Sequence, residues 1–244
     1  MSDAIKARLH VPDDLTVGGS IMLAEDQAHY LRHVLRLEQG ATIALFNGRD
    51  GEMRASLSEV SKKVCRLTVE AQLRPQAPAS DVWLCFAPIK QGRIEMIVEK
   101  ATELGVGRLL PVITRRVQMQ KVNAGRLAAH AREAAEQCER LDVPDVAEAV
   151  TLEKLLQDWP KNRRLLVCAE RADARSLLQA ATEGGPVALL VGPEGGFAPE
   201  EMQQLATVSQ ALPVSLGPTI LRAETAAIAA MAILQSAREN SVGN

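Results

Sequence analysis

Two segments near the end of the chain bring glycines, acids and an arginine together. The first, Leu190-Val191-Gly192-Pro193-Glu194-Gly195-Gly196-Phe197, leaves an apolar run and leads to Pro199, a residue suited to the first turn of a helix. Glycines there let the backbone take positive φ and approach a ligand closely. In open α/β sheets ligands bind at the carboxyl ends of strands, which is where such a loop falls. Taken alone, the segment reads equally well as a tight strand-to-helix turn. It is not a P-loop, because no Gly-Lys-Ser/Thr follows, and it lacks the G-x-G-x-x-G dinucleotide pattern. The second segment, Leu216-Gly217-Pro218-Thr219-Ile220-Leu221-Arg222-Ala223-Glu224-Thr225-Ala226, also joins a strand to a helix. Glu224 and Thr225 fall in the first helical turn, a favourable place for an acid and a capping hydroxyl. Consecutive β-loop-α units put both loops at one end of a sheet and form one cleft. Within it, Arg222 can stabilise a developing anion while Glu224 orients it or accepts a proton. A local Arg222–Glu224 ion pair capping the helix is the plainer alternative.

Cationic residues gather in three places: Lys90 with Arg93, Arg115 and Arg116 with Lys121 and Arg126, and His29, Arg32, His33 and Arg36 nearer the start. Each alone reads as solvated surface. Together they can meet a polyanionic partner, with binding that weakens as salt rises. The net charge of −2 supplies no global basic field, so any nucleic acid must be met by such local patches. Cys65, Cys85, Cys138 and Cys168 are scattered without C-x-x-C spacing, which argues against a metal site or a disulfide framework and suits a reducing cytoplasm. The start carries no signal-peptide pattern and no stretch approaches the roughly 20 apolar residues of a membrane span. A cytoplasmic protein with no membrane partner is expected.

The elements that must position these residues follow from periodicity. The linker Arg74-Pro75-Gln76-Ala77-Pro78-Ala79-Ser80 divides the chain. Before it, strands are expected over Thr42–Phe46, Glu52–Glu59 and Val64–Glu70, with one helix over Gln27–Leu37 and a turn at Asn47-Gly48-Arg49-Asp50-Gly51. A small β-barrel fits that region. After it, buried strands are expected at Val82–Ala87, Leu109–Ile113, Leu165–Ala169, Val187–Val191 and Val214–Leu216. Helices fall between or after them: one with its apolar stripe on Ile94, Ile97, Val98, Ala101 and Leu104, then Asn123–Arg140, Asp173–Ala181, Pro199–Ser209 and Glu224–Arg238. This alternation means a mostly parallel sheet covered by helices. Ala226–Leu234 is apolar almost all round, as expected of a helix buried on two sides, by the core or by a second copy of the chain.

The two loops, GPEGGF and LG-x-x-ILR-x-ETA, resemble the SPOUT superfamily of methyltransferases and, more narrowly, the RsmE family of 16S rRNA uracil-N3 methyltransferases. The resemblance extends to His29-Tyr30-Leu31-Arg32-His33-Val34-Leu35-Arg36, to Lys90, to Glu99-Lys100-Ala101-Thr102-Glu103-Leu104-Gly105-Val106, and to Glu136-Gln137-Cys138 through Pro144. It implies a PUA-like β-barrel over 1–74 that binds RNA and an α/β methyltransferase domain over 81–244 with a trefoil knot, a topology that general rules would not suggest. It also implies a homodimer packed partly through the last helix, and S-adenosylmethionine as methyl donor. By position, Leu190, Val191, Gly192, Pro193, Glu194, Gly195 and Gly196, with Leu216, Gly217, Ile220, Leu221, Thr225 and Ala226, surround that cofactor, and the substrate is 16S rRNA in the small ribosomal subunit. The chain departs from the family pattern at Thr219, where Arg is common, at Ala223, where Thr is common, and at Glu139, where Gly is usual.

Overall fold

The structure is a computed structural model that describes residues 4–61, 64–169 and 174–242. The chain forms two compact units. One is built from the chain up to Ala79 together with Ala135–Val143, the other from Ser80–Ala134 and from Pro144 onward. The return of Ala135–Val143 to the first unit carries no signal in the periodicity, which ran a single second domain on from the linker.

In the first unit the elements are β1 (Arg8–His10), β2 (Ser20–Met22), α1 (Glu25–His29), β3 (Thr42–Phe46), β4 (Glu52–Val60) and β5 (Cys65–Arg74). The sheet runs β1-β3-β4-β5-β2, parallel between β1 and β3 and antiparallel elsewhere. One apolar cluster draws on all five strands, from Leu9, Ile21 and Ile43 to Leu57 and Leu67, so the sheet wraps a single core. The helix expected over 27–37 is instead α1 followed by a π-helical turn, Tyr30–Val34, in which Leu35 N donates to Tyr30 O at 3.0 Å. Arg36, at φ 53°, turns the backbone left-handed and ends the run. Arg8 holds the returning segment: its guanidinium donates to the carbonyls of Ala135 (3.2 Å), Glu136 (3.1 Å) and Arg140 (2.9 Å) and pairs with Glu52 Oε1 at 2.6 Å.

The second unit contains β6 (Val82–Phe86), α2 (Gln91–Glu103), β7 (Arg108–Ile113), α3 (Ala124–Gln137), β8 (Asp145–Val146), β9 (Val150–Thr151), α4 (Leu152–Gln157), β10 (Arg164–Cys168), α5 (Leu177–Ala181), β11 (Val187–Val191), α6 (Pro199–Ala206), β12 (Ala211–Val214) and α7 (Ala223–Val242). The last turn of α3 lies in the segment counted with the first unit. Every pairing is parallel, in the order β12-β10-β11-β6-β7-β8, with β9 also on β7. All five residues of β11 are buried, as a strand covered on both faces requires.

Some expectations are not matched element for element. The Asp173 start expected for α5 lies outside the described residues. The strand expected at Val214–Leu216 is found at Ala211–Val214, which leaves Leu216 in the loop. α4 was not anticipated; at six residues it is too short for helical periodicity to register. The last helix, α7, packs on α2, α5 and β11 and buries Ala223, Ala226, Ala227, Ala230, Met231, Leu234 and Ala237, spacings of three and four that mark one face. Its other face, with Ile228, Ala229 and Ile233 half-buried and Thr225 and Ala232 exposed, remains partly open, so within this chain the helix is covered on one side only.

Candidate active site

Because β10, β11 and β12 run parallel, their carboxyl ends at Cys168, Val191 and Val214 share one edge of the sheet. The chain leaves β11 into Gly192–Ala198 and enters α6 at Pro199; it leaves β12 into Ser215–Arg222 and enters α7. Between the two loops lies a cleft of about 940 Å³.

Both loops are held by hydrogen bonds that reach beyond themselves. Glu201, in the first turn of α6 and only 3% exposed, accepts Ala198 N through Oε2 and Arg115 N through Oε1, each at 2.8 Å. The first is the reach-back bond of a capping box; the second ties the end of the loop to the segment just after β7. Arg116 Nη1 donates to Gly195 O at 2.7 Å, and Gly196 N closes a turn on Pro193 O at 2.9 Å. At Gly192 a β-carbon would stand 3.0 Å from the Phe197 ring, so any larger residue would push that ring aside by a few tenths of an ångström. In the second loop Ser215 is bridged to the α5 start, its N donating to Arg175 O (3.0 Å) and its O accepting Leu177 N (2.9 Å). Gly217, at φ 123°, takes a conformation L residues rarely adopt.

Of the residues expected around a cofactor, Val191, Gly192, Pro193, Gly195, Gly196, Leu216, Gly217, Ile220, Leu221 and Ala226 line the cleft. Leu190 is fully buried in β11 beneath it, Thr225 is exposed on α7, and Glu194 turns to Arg93; none of these three lines it. Pro218 and Thr219, inside the second loop expected to form the cleft, also line it; sequence reasoning missed Cys168, Ala169, Phe197, Met202, Val214, Ser215 and Ala223. Cys168 and Ala169 belong because β10 is inserted between β11 and β12, an order that only the folded sheet reveals. Burial pushes the Cys168 thiol up to about 12, so it stays protonated and is no nucleophile at neutral pH.

The plainer alternative, a local Arg222–Glu224 ion pair, is not formed. Residues two apart on a helix do not face each other, and the two side chains diverge. Arg222 is exposed, its carbonyl accepts Ala226 N at 2.8 Å, and its guanidinium makes no hydrogen bond or ion pair among the described residues. Glu224 is 9% exposed; its Oε1 faces Arg93 Nε at 3.6 Å, and its Oε2 is buried with no hydrogen-bond partner among the described residues. Arg93 also stands 3.6 Å from Glu194, so it belongs to the cleft rim rather than to a free cationic surface. Arg116 likewise lines the cleft, and Arg115 pairs with Glu200 at 3.6 Å. Lys90 and Lys121 are exposed. In the first unit, His29, His33 and Arg36 are exposed, with the two imidazole rings 4.7 Å apart, whereas Arg32 donates to the Ala28 and Ser61 carbonyls.

A glycine-rich cleft at the carboxyl ends of parallel strands, with Arg222 and Glu224 next to its lining residues, is the architecture of an α/β protein that binds a small-molecule ligand. Comparison with known proteins agrees with that class. Residues 75–235 match the RNA methyltransferase domain and residues 23–70 the RNA methyltransferase PUA domain. The chain belongs to the ribosomal RNA small subunit methyltransferase E family of RNA methyltransferases. It is 36% identical over 230 residues to that enzyme of Rickettsia conorii, spanning 92% of this chain and 93% of the relative. The Neisseria gonorrhoeae protein of the same name, solved bound to S-adenosyl methionine, superposes with a TM-score of 0.85 at 29% identity, over 94% of this chain and 97% of that one. A Legionella pneumophila chain solved with bound cofactor SAM gives 0.87 at 31% identity, over 96% and 98% of the two chains.

Proposed function

We propose that this chain transfers the methyl group of S-adenosylmethionine to N3 of a specific uridine in 16S rRNA of the small ribosomal subunit. The observation that carries the reading is the cleft between Gly192–Ala198 and Ser215–Arg222. Its volume of about 940 Å³ is within the range of small-molecule sites. Its walls offer backbone amides and carbonyls for a nucleoside and an amino acid, and Val191, Phe197 and Met202 are apolar enough to take a flat base. The residues therefore fit the cofactor. When bound, it supplies an electrophilic methyl group on a sulfonium.

The chain's own residues divide the remaining work. Val191, Gly192, Pro193, Gly195 and Gly196 hold the ligand from one side, and Leu216, Gly217, Ile220, Leu221 and Ala226 from the other; Leu190 supports them from below, while Glu194 and Thr225 act at the rim. Uridine N3 carries a proton in neutral water, and that proton must leave before or during transfer. The free guanidinium of Arg222 stabilises the charge that then spreads to the uracil carbonyls. Glu224, at the start of α7 beside the second cleft loop, accepts the N3 proton or holds the base in place. Alignment of methyl group and N3 contributes most of the rate.

RNA recognition belongs to residues 1–74 and transfer to residues 81–244. His29, Arg32, His33 and Arg36, with Lys90, Arg115, Arg116, Lys121 and the half-exposed side of Arg93, meet the phosphate backbone, and the target base must be accessible or flipped out. A homodimer is supported by the half-open apolar face of α7. A trefoil knot through the two cleft loops is supported by the sheet order, in which β11 lies between β6 and β10 while β12 lies beyond β10. None of the helices among the described residues is long and apolar enough to cross a membrane; the cytoplasm, where ribosomes are assembled, is the proposed location. The test is methyl transfer from labelled S-adenosylmethionine to 30S subunits lacking the modification, followed by nucleoside analysis. N3-methyluridine in 16S rRNA is the expected product. A different methylated nucleoside would overturn the atom and substrate, and no transfer beside an active control enzyme would overturn the reaction.

A further inference from the structure

Arg93 sits in the first turn of α2 and meets two acids from different parts of the site: Nη1 is 3.6 Å from Glu194 Oε1 in the glycine loop, and Nε is 3.6 Å from Glu224 Oε1 at the start of α7. No other cation among the described residues lies within ion-pair distance of Glu224. The elements packed on α7 explain why. α5 and β11 carry no charged side chain, and the other charges of α2 are engaged elsewhere, Glu95 with Arg126 and His130, Glu99 and Glu103 with Lys100. Glu194 and Glu224 would repel one another across the rim without a cation between them.

We infer that Arg93 is a positioning residue: it ties the glycine loop to the start of α7 and holds the Glu224 carboxylate in one place beside the second cleft loop. What Glu224 then does rests on the methyl-transfer reading above; the tie itself does not. Both ion pairs are long and partly exposed, at 39% for the Arg93 side chain, so each adds little to global stability. Their consequence is local order, which separates this role from simple structural support.

The experiment uses the full chain as wild type, Arg93→Gln, Arg93→Lys, Glu224→Gln and the Arg93→Gln/Glu224→Gln double variant. Amide hydrogen exchange without cofactor is read over 192–198 and 223–228, S-adenosylmethionine binding by calorimetry, and single-turnover transfer to unmodified 30S subunits at saturating cofactor. In Arg93→Gln, exchange in both segments rises by about threefold or more while the melting temperature moves by no more than about a degree. The transfer rate falls by about tenfold with cofactor affinity changed less than about threefold, because misplacement of a reacting group costs rate rather than binding. Arg93→Lys recovers most of the rate, and the double variant is no slower than Glu224→Gln alone, the mark of residues acting as a unit. Unchanged exchange in Arg93→Gln, or losses that multiply in the double variant, would overturn the inference. If wild type transfers no methyl group, the functional reading falls, and the exchange arm alone still decides whether Arg93 ties the two segments.

Discussion

The carboxylate of Glu201 accepts the backbone N–H of Arg115 at 2.8 Å, so a buried acid on α6 fixes the segment just after β7, 86 residues earlier in the chain. Its other oxygen takes Ala198 N at the same distance. Both bonds close over the end of the glycine loop. Removing one charged acceptor there leaves a buried N–H poorly satisfied, which costs about 1–3 kcal/mol. Glu201→Gln should therefore lower the melting temperature by roughly 2–10 °C for a chain of this size and weaken S-adenosylmethionine binding in parallel. Thermal melts and calorimetry on the same preparation check it. Unaltered stability and affinity together would show that the loop holds its shape without this acid.

Arg222 and Glu224 are neighbours in sequence yet face different surroundings, one exposed, one 9% exposed and opposite Arg93. Their contributions should be separable. Arg222→Ala is expected to slow single-turnover transfer by about 10²-fold, the usual loss for one charge-stabilising donor, with cofactor affinity nearly unchanged. Glu224→Gln is expected to slow it by at least about 10²-fold, the low end for removal of a general base. A wild-type rate in Arg222→Ala would remove that residue from the reaction.

Glu139 lies just past the end of α3 with φ at 61°. This is the position where the family resemblance calls for Gly, and its conformation gives the reason: a β-carbon is strained in the left-handed region, which glycine enters freely. The side chain is exposed, and the one hydrogen bond at this residue, from Arg74 Nη2 at 3.0 Å, ends on the backbone carbonyl, which glycine retains. Glu139→Gly should stabilise the fold by about 1 kcal/mol. In urea unfolding, the midpoint should rise with the slope unchanged; a lower midpoint would mean that the side chain matters in a way the geometry does not show.

Glu52 is buried between Arg8 and Arg74, with Nε of each within 2.7 Å of its carboxylate. Burial alone would raise its pKa, but the hydrogen bonds and charges of the two guanidiniums outweigh that and hold it below the ordinary carboxylate value. A carboxyl depressed in the folded state adds stability above its unfolded pKa of about 4.3 and loses it as pH falls through the folded value. Glu52→Gln, which strips two arginines of their partner, should cost about 2–3 kcal/mol at pH 7. The difference between the variant and wild type should narrow steadily below about pH 4. Chemical denaturation at pH 7, 5, 4 and 3 reads it directly, and a gap that stays constant with pH would contradict the assignment.

Cys168 borders the cleft but should not take part in chemistry. With its thiol raised to about 12 by burial, it should resist iodoacetamide at pH 8 in the folded protein, and Cys168→Ser should keep its transfer rate within about threefold. Rapid labelling that abolishes activity would show the thiolate to be reachable.

Much of this protein is set by local patterning. The apolar runs of β6, β7, β10 and β11, the stripe on α2 and the glycine- and proline-marked loops at Gly192–Pro199 and Leu216–Ala226 all follow from periods of two and 3.6 and from turn chemistry. Ten of the thirteen cofactor residues expected from the motifs line one cleft because a loop that leaves a parallel strand has no other edge at which to open. Short elements escaped, among them β1, β2, α4 and β8, because fewer than about six residues carry too little periodicity to register. What tertiary structure alone decided is long-range pairing. The insertion of β10 between β11 and β12 brought Cys168 and Ala169 to the cleft, the return of Ala135–Val143 attached it to Arg8, and the approach of α2 gave Glu224 the cation Arg93 in place of Arg222. A residue's type and its near neighbours dictate how it can bond. Which distant residue completes that bond depends on how the sheet is ordered and how the helices close over it, and neither is written into any local stretch of the chain.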